Sequence, residues 1–346
     1  MKTPPTHHVR RTRWVTIAAL AIMTLGASWS PAQAAIFKDA QFEALHETGQ
    51  FAELEQQAQS RLKANPADAE ASAALVLALS LADPSDAQRL EAGAQQAKRC
   101  TEQHPAVAVC HLAAAENLGL QMVNMGMVKA MRSVGSLKDL WRRTLALEPT
   151  SFTARVQLAK LYLTLPGMVG GSTTQAKELE SAVRSSQPET ARIIRVHIAA
   201  QAQQWAEMEA ELLALKPTKD AAMREEVREA TMQLALVYLK DGRDLAKAQR
   251  LYGTLQRDQP NQAAGLYGAA RVQAALGQPD EAIRLFERAR ALAGADAYPI
   301  DLRLGDTLLA KGDKAQAKLV CERFVANKRA KPSQVEEVRK HLAKLG

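Results

Sequence analysis

The stretch "AAGLYGAARVQAALGQPDEAIRLFERARALAGAD", residues 263–296, decides the fold. Gly277 makes a turn, Ala282 follows five residues later, and Phe286 and Ala289 come after it. Small side chains at the two alanines let two helices approach closely, and Phe286 fills the space between one pair of helices and the next. The stretch therefore predicts one antiparallel helical hairpin.

The same pattern recurs on both sides of this stretch. The residues in register are Leu304, Gly305, Gly312, Ala317, Cys321 and Phe324 in the next unit, Leu234, Tyr238, Gly242, Ala248 and Tyr252 within residues 218–260, and Gly49, Phe51, Leu54 and Ala58 near the start. Residues 189–217 make a weaker unit, with Trp205 at its turn and Pro217 closing it early. Internal repetition of this kind is typical of a solenoid.

Prolines mark the boundary between one hairpin and the next, because proline cannot continue a helix. They stand where a second helix is expected to end: Pro66, Pro105, Pro149, Pro188 and Pro260.

The units resemble the tetratricopeptide repeat, a pair of antiparallel helices. The resemblance implies an all-α fold, a TPR-like α-solenoid in which hairpins form a right-handed superhelix. We predict about eight units over residues 35–331 and a capping helix over 332–346, since a solenoid needs a polar end. The resemblance also implies a concave groove, lined by the first helix of each hairpin, that holds a peptide or a partner protein.

The first 34 residues predict an export signal that is not part of the fold. A basic start, "MKTPPTHHVRRTRW", precedes an apolar run and the small residues "AQA" before Ala35. We expect cleavage after Ala34 and a periplasmic protein, with an uncleaved inner-membrane anchor as the alternative. The Arg10–Arg11 pair leaves both the general and the twin-arginine export routes open.

The charge balance gives little support for nucleic acid as a partner. Of 45 Lys and Arg residues, four lie in the predicted signal, which leaves 41 against 37 acidic residues, and the charges are interspersed. No other stretch approaches the ~18 apolar residues of a membrane-spanning helix, so no stable span is expected after cleavage.

The three cysteines suit an oxidising compartment. Cys100 and Cys110 are close in sequence and are expected to form a disulfide bond, with two buried thiols as the alternative. Cys321 occupies a position that the repeat buries, so it is interpreted as an inert core residue.

The methionine-rich segment "QMVNMGMVKAM", residues 121–131, raises the alternative of a site for monovalent copper. On one straight helix, Met122 and Met125 share a face that is roughly opposite the face of Met127 and Met131. No histidine or further cysteine accompanies them. We therefore interpret the segment as packing in the core or against a partner.

The next unit contains the loop "PGMVGGS", residues 166–172. Such a loop could present backbone N–H groups to an anion. A nucleotide-binding P-loop is excluded, because it needs a Gly-Lys-Ser/Thr ending and a preceding strand, and the sequence has neither. The alternatives are an expanded turn at Gly167, Gly170 and Gly171 with Ser172 capping the next helix, or a ligand contact. About sixty residues here resemble a group of exported bacterial TPR proteins of unassigned function with a PG..GGS loop.

No catalytic motif stands out elsewhere in the sequence, so we expect neither enzymatic activity nor a cofactor. The histidines that follow the predicted signal do not have the spacing of a metal site. They are His46, His104, His111, His197 and His341. By register, the side chains predicted to project from first helices into the groove are Lys160, Tyr267, Arg271, Arg303 and Asp306.

The leading hypothesis is a periplasmic, non-catalytic scaffold or adaptor that binds a peptide or protein, with Tyr and Arg side chains that suit an acidic segment. The alternative is an accessory ligand-binding, transporter-associated component that uses the 166–172 loop. A third, weaker hypothesis is an envelope hydrolase.

Overall fold

The computed structural model describes residues 35–240, 244–327, 330 and 332–343, which form 17 α-helices. Their bounds are α1 Ala40–Glu47, α2 Phe51–Ala64, α3 Ala69–Leu81, α4 Ala87–Gln103, α5 Ala108–Asn124, α6 Met127–Leu147, α7 Phe152–Thr164, α8 Thr173–Ser181, α9 Pro188–Gln201, α10 Trp205–Leu213, α11 Ala221–Leu239, α12 Leu245–Asp258, α13 Ala263–Ala275, α14 Pro279–Arg290, α15 Ile300–Lys311, α16 Lys314–Ala326 and α17 Pro332–Ala343. These described ranges contain no β-strand, only an isolated bridge between Gln262 and Ala293. The predicted all-α fold is confirmed.

The helices pair in chain order into hairpins. Each odd-numbered helix from α1 to α15 packs on the even-numbered helix that follows it, each second helix packs on the first helix of the next hairpin, and α17 packs on α16. This arrangement is a solenoid of helical hairpins. The predicted export signal over 1–34, the turn residue Gly242 and the last residues, 344–346, lie outside the described residues.

Left-handed backbone conformations form several hairpin turns. Gly49, Gly277 and Gly312, which the sequence places at turns, have φ angles of +69°, +72° and +92°. Glycine adopts this region without the steric cost that a Cβ brings. In the α9–α10 hairpin the same place is occupied by Gln203, with φ of +57°. The missing glycine explains why the sequence signal of this unit is weak.

The prolines stand at hairpin boundaries, with one difference from the prediction. Pro66, Pro105, Pro149 and Pro260 follow the last residues of α2, α4, α6 and α12. Pro188 instead begins α9, several residues after the end of α8. Proline is favoured at the first helical position because its φ is already helical and the N–H it lacks has no partner there.

Small residues bring neighbouring helices into direct contact. Ala282, Phe286 and Ala289 are fully buried, as the repeat predicts. A Cβ at Gly268 of α13 would lie 1.9 Å from the ring of Tyr252 of α12, so glycine alone fits there without a shift. The interior of the solenoid is therefore closely packed at the point where the deciding stretch meets the preceding hairpin.

The predicted disulfide is present. Cys100 near the end of α4 is bonded to Cys110 near the start of α5, with their Cα atoms 5.4 Å apart. Cys321 is a buried free thiol. The bond therefore ties the second hairpin to the third.

Helix α11 connects two parts of the apolar core. Met223 in its first turns packs with the core of the N-terminal hairpins, which contains Phe37 and Ile193. Leu234 and Tyr238, further along the helix, pack in the core formed by helices α9 to α13. The start of α11 is thereby brought back onto the first helices of the N-terminal hairpins.

Candidate functional site

A recess of about 200 Å³ lies where the start of α11 meets those N-terminal first helices. Its residues come from the segment before α1 and from α1, α3, α5, α7 and α11. The apolar part of its wall is made of Ile36, Leu77, Leu81, Phe152, Val156 and Ala222. The recess is therefore built on the surface that the sequence assigned to partner binding.

One polar corner of the recess is a saturated network around Glu226. Lys160 Nζ donates to the two carboxylate oxygens at 2.9 and 3.1 Å, Gln157 Nε2 donates at 3.1 Å, and His197 Nε2 lies 3.0 Å away. Burial alone would raise the pKa of Glu226, but the hydrogen bond with His197 and the charge of Lys160 bring this pKa below its usual value. Glu226 is therefore a paired carboxylate that joins α11 to α7 and α9.

Glu116 of α5 lines the same recess, but its carboxyl group differs from that of Glu226 in its pairing and its pKa. Among the described residues, no hydrogen bond or ion pair reaches its carboxyl group, although the charges of Lys160 and Glu226 are close enough to act on it. Burial raises the pKa of Glu116 to about 7; Lys160 opposes this rise and Glu226 adds to it. A carboxyl group whose pKa is raised in this way inside a recess is the kind of group found at functional sites.

We expect Glu116→Gln to remove a pH dependence of stability. The carboxyl titrates near 4.5 in the unfolded chain and near 7 in the fold, so the folded state holds the proton more tightly. Stability from this group is present below pH 4.5 and is lost as the pH rises to 7. At pH 8 the variant should be more stable than the wild type by about 1–2 kcal/mol, after allowing for solvent screening.

Urea unfolding of both proteins at pH 5 and pH 8 measures this difference. The exposed Glu207 of α10, changed to Gln, serves as the matched control and should show no comparable gain at pH 8. An equal difference between Glu116→Gln and wild type at both pH values would contradict the expectation.

His46 lines the recess from α1 as a neutral side chain. Burial lowers the pKa of His46 to about 4. Its ring packs edge-on against Phe37 and Phe51, with centroids 5.9 and 6.2 Å away. His46 is therefore a packing residue of α1.

The five side chains predicted for the groove do not all meet at one site. Lys160 lies beside the recess and is engaged by Glu226 and, at 3.7 Å, by Glu229. The other four belong to α13 and α15 and do not line the recess.

Tyr267 differs most from its predicted position. It is 4% exposed and stacked on Tyr298, with 4.9 Å between ring centroids, so it belongs to the core. The guanidinium of Arg271 lies 5.7 Å from the centre of its ring. The repeat register correctly placed Tyr267 on a first helix but could not show that Tyr298, from the following connection, would cover it.

Arg303 and Asp306 neighbour each other on α15. Arg303 Nη1 donates to the Asp306 carboxylate at 2.9 Å, and each side chain keeps about a third of its surface exposed. The charge of Arg303, which was predicted to bind an acidic segment, is therefore already paired with Asp306. Their role in binding stays a prediction.

The 166–172 loop uses its backbone donors internally. Gly170 N–H donates to Gly167, Gly171 N–H to Pro166 at 3.1 Å, and Ser172 N–H to Tyr162 at 2.9 Å. Ser172 also accepts from Gln175 N–H and so caps α8. Because these N–H groups already have partners, the geometry favours the expanded turn with a cap over an anion contact.

The methionine-rich segment forms the tip of the α5–α6 hairpin. Met122 packs in part against the core, whereas Met127 is 79% exposed and Met131 is 44% exposed. The interpretation as core packing is therefore wrong for these two residues, which lie in the exposed first turns of α6, whereas its buried residues start at Val134. Packing against a partner stays a prediction.

The described ranges contain no group of three or more His, Cys, Asp or Glu side chains that could hold a metal ion. Within the same ranges, no helix has the length and apolar character needed to cross a membrane.

Comparison with known proteins identifies the fold. No protein-family model matches the sequence, and no curated protein matches it significantly. The crystal structure of yeast Tom70 is similar, with a TM-score of 0.59 and 14% identity, over 85% of this chain and 58% of Tom70. A tetratricopeptide repeat protein from Parabacteroides merdae is 15% identical over 79% of this chain and 99% of its own, with a TM-score of 0.43. The likeness to Tom70 confirms a TPR-like solenoid, and this chain spans only 58% of that protein.

Proposed function

We propose that this chain is an exported, non-catalytic scaffold that binds a peptide segment or a partner protein on its first-helix surface, at the recess around Glu116. The observation that supports this is the construction of the recess. First helices of several hairpins and the returning start of α11 enclose apolar walls beside a carboxyl group that pairs with no residue in the described ranges. Solenoids use such surfaces for recognition.

The proposed location is the periplasm, after cleavage behind Ala34. Its support is the sequence of residues 1–34, together with the Cys100–Cys110 disulfide, because such bonds persist in oxidising compartments. An uncleaved inner-membrane anchor is the alternative. Mass measurement of the intact protein purified from cells distinguishes the two.

The ligand-delivery alternative, which uses the 166–172 loop, has less support. A small anion would need free backbone donors, and those of Gly170, Gly171 and Ser172 bind carbonyl groups of the chain itself. Binding of a protein segment at the recess requires no such rearrangement.

Site-specific photo-crosslinking tests the proposed function. A diazirine analogue of leucine at Leu81, which lines the recess, should give a defined adduct in the envelope of living cells. The same analogue at Leu319 of α16, which is 60% exposed away from the recess, is the matched control and should not give that adduct. Filling the recess with Thr153→Trp should reduce the Leu81 adduct by about tenfold, the equivalent of ~1.4 kcal/mol.

The double variant Arg271→Ala with Arg303→Ala separates this site from the one the sequence suggested. We expect it to keep the Leu81 adduct, because neither side chain lines the recess. A Leu81 adduct that survives Thr153→Trp, or no adduct at all, would refute binding at the recess. Loss of the adduct in the double variant would move the binding surface to α13 and α15.

A further inference from the structure

The recess contains three carboxyl groups, and two of them already have partners. Glu226 is saturated by Lys160, Gln157 and His197. Glu225 accepts from Arg228 Nε at 2.8 Å. The third, Glu116, has neither a hydrogen bond nor an ion pair within the described part of the chain. The Glu116 side chain is half-buried, and a partly desolvated carboxylate that lacks a donor favours a ligand that supplies one.

Lys160 is a cation whose charge acts on Glu116, but it is already paired with other carboxylates. Its ammonium group bridges Glu226 and Glu229 across α7 and α11. Turning toward Glu116 would remove the strongest donor from Glu226, whose side chain is only 8% exposed. Breaking such a pair is costly because it leaves a buried charge uncompensated. Lys160 therefore cannot pair with Glu116 without disrupting this network.

The charges around the recess favour a cation over an anion. Four carboxyl groups, those of Glu116, Glu225, Glu226 and Glu229, stand against Lys160, Arg228 and His197, and these three pair with carboxyl groups other than Glu116. An entering carboxylate would be repelled by this excess, whereas an entering cation would be attracted. This is the reverse of the acidic segment that the sequence suggested.

The size and walls of the recess fit one long side chain. A volume of about 200 Å³ is below the roughly 300–1,000 Å³ of sites that hold drug-sized ligands. Leucine, valine and phenylalanine side chains line it beside the carboxyl group. Lysine and arginine combine an apolar stem with a charged end, and they commonly bury the stem against apolar surface.

We infer that the recess is a pocket for a single basic side chain, lysine or arginine, presented by an otherwise apolar segment of the partner. The stem lies against Leu77, Leu81 and Val156, and the charged end donates to the Glu116 carboxylate. This inference rests on the proposed function and specifies the partner's chemistry at that site. It assigns Glu116 as the residue that determines specificity for charge.

A pair of blocked peptides tests the inference directly. The probes are N-acetyl-Ala-Leu-Lys-Leu-Ala amide and the same peptide with norleucine in place of lysine, which keeps the stem and removes the charge. Calorimetry at pH 8, where Glu116 is ionised, should show the lysine peptide binding about tenfold more tightly to the wild type, or ~1.4 kcal/mol. Glu116→Gln should abolish this preference. The exposed Glu207→Gln is the matched control and should retain it.

Each outcome has a defined meaning. Equal binding of the two peptides to the wild type, no binding of either at about 1 mM, or a lysine preference that survives Glu116→Gln would overturn the inference. The wild-type comparison needs no variant, so a folding defect cannot obscure it. If the Leu81 photo-adduct forms while the peptides bind equally, the inference fails and the proposed function stands. If that adduct is absent, the proposed function itself fails.

Discussion

Replacing Gly268 with alanine should destabilise the hairpins around α12 and α13 by about 3 kcal/mol, near the upper end of overpacking costs. The added Cβ would lie 1.9 Å from the ring of Tyr252, which is 1% exposed and has no space to move into. The higher helix propensity of alanine offsets only up to about 1 kcal/mol of the steric cost. Urea unfolding followed by circular dichroism measures the loss.

Gly253, in the interior of α12 beside Tyr252, supplies a control of the opposite sign. A Cβ there meets no atom within 4 Å, so Gly253→Ala should stabilise the protein by about 0.5–1 kcal/mol through helix propensity alone. Placing Gly268→Ala in a Tyr252→Leu background should cost much less than in the wild type, because the clashing ring is gone. Equal costs in both backgrounds would show that the helices can move apart, contrary to the close packing described.

Loss of the Cys100–Cys110 bond should lower stability by about 2–3 kcal/mol in the chain-entropy model, because the bond closes a short loop in the unfolded chain. The change Cys100→Ser with Cys110→Ser produces this loss directly. Reduction of the wild type with dithiothreitol should produce it without a substitution. Both cysteines are fully buried between α4 and α5.

The two routes check each other in a thermal unfolding experiment. The reduced wild type and the double serine variant should unfold at similar temperatures, and dithiothreitol should not affect the variant further. Cys321 is a free thiol in every sample, so it contributes no redox response. An unchanged unfolding temperature on reduction would mean that the bond does not constrain the unfolded chain.

The hairpin architecture is predictable from the sequence because its determinants are local. Gly277, Ala282 and Phe286 lie within one hairpin, and the distances between them reflect helix geometry and a turn. The positive φ of Gly277 and the full burial of Ala282 and Phe286 follow directly from that spacing. The disulfide is equally local, since its two cysteines flank one interhelical turn.

The recess is not predictable in the same way because its parts are distant in sequence. Glu116 of α5 and Glu226 of α11 come together only because α11 returns to the N-terminal hairpins, and no repeat spacing encodes that return. The repeat register shows which residues stand on first helices, but it does not show which of them another element covers. Lys160 was singled out correctly as a first-helix residue, while its partner Glu226 carried no sequence signal that marked it.

The position of α11 has a mechanical consequence. Because the helices from α13 onward make most of their contacts with adjacent hairpins, a force applied at the C-terminus would separate these hairpins one after another. The peeling would then meet α11, whose first turns are anchored among the N-terminal helices, and resistance would rise there. The N-terminal hairpins that line the recess would therefore unfold after the C-terminal hairpins when the protein is stretched from its C-terminus.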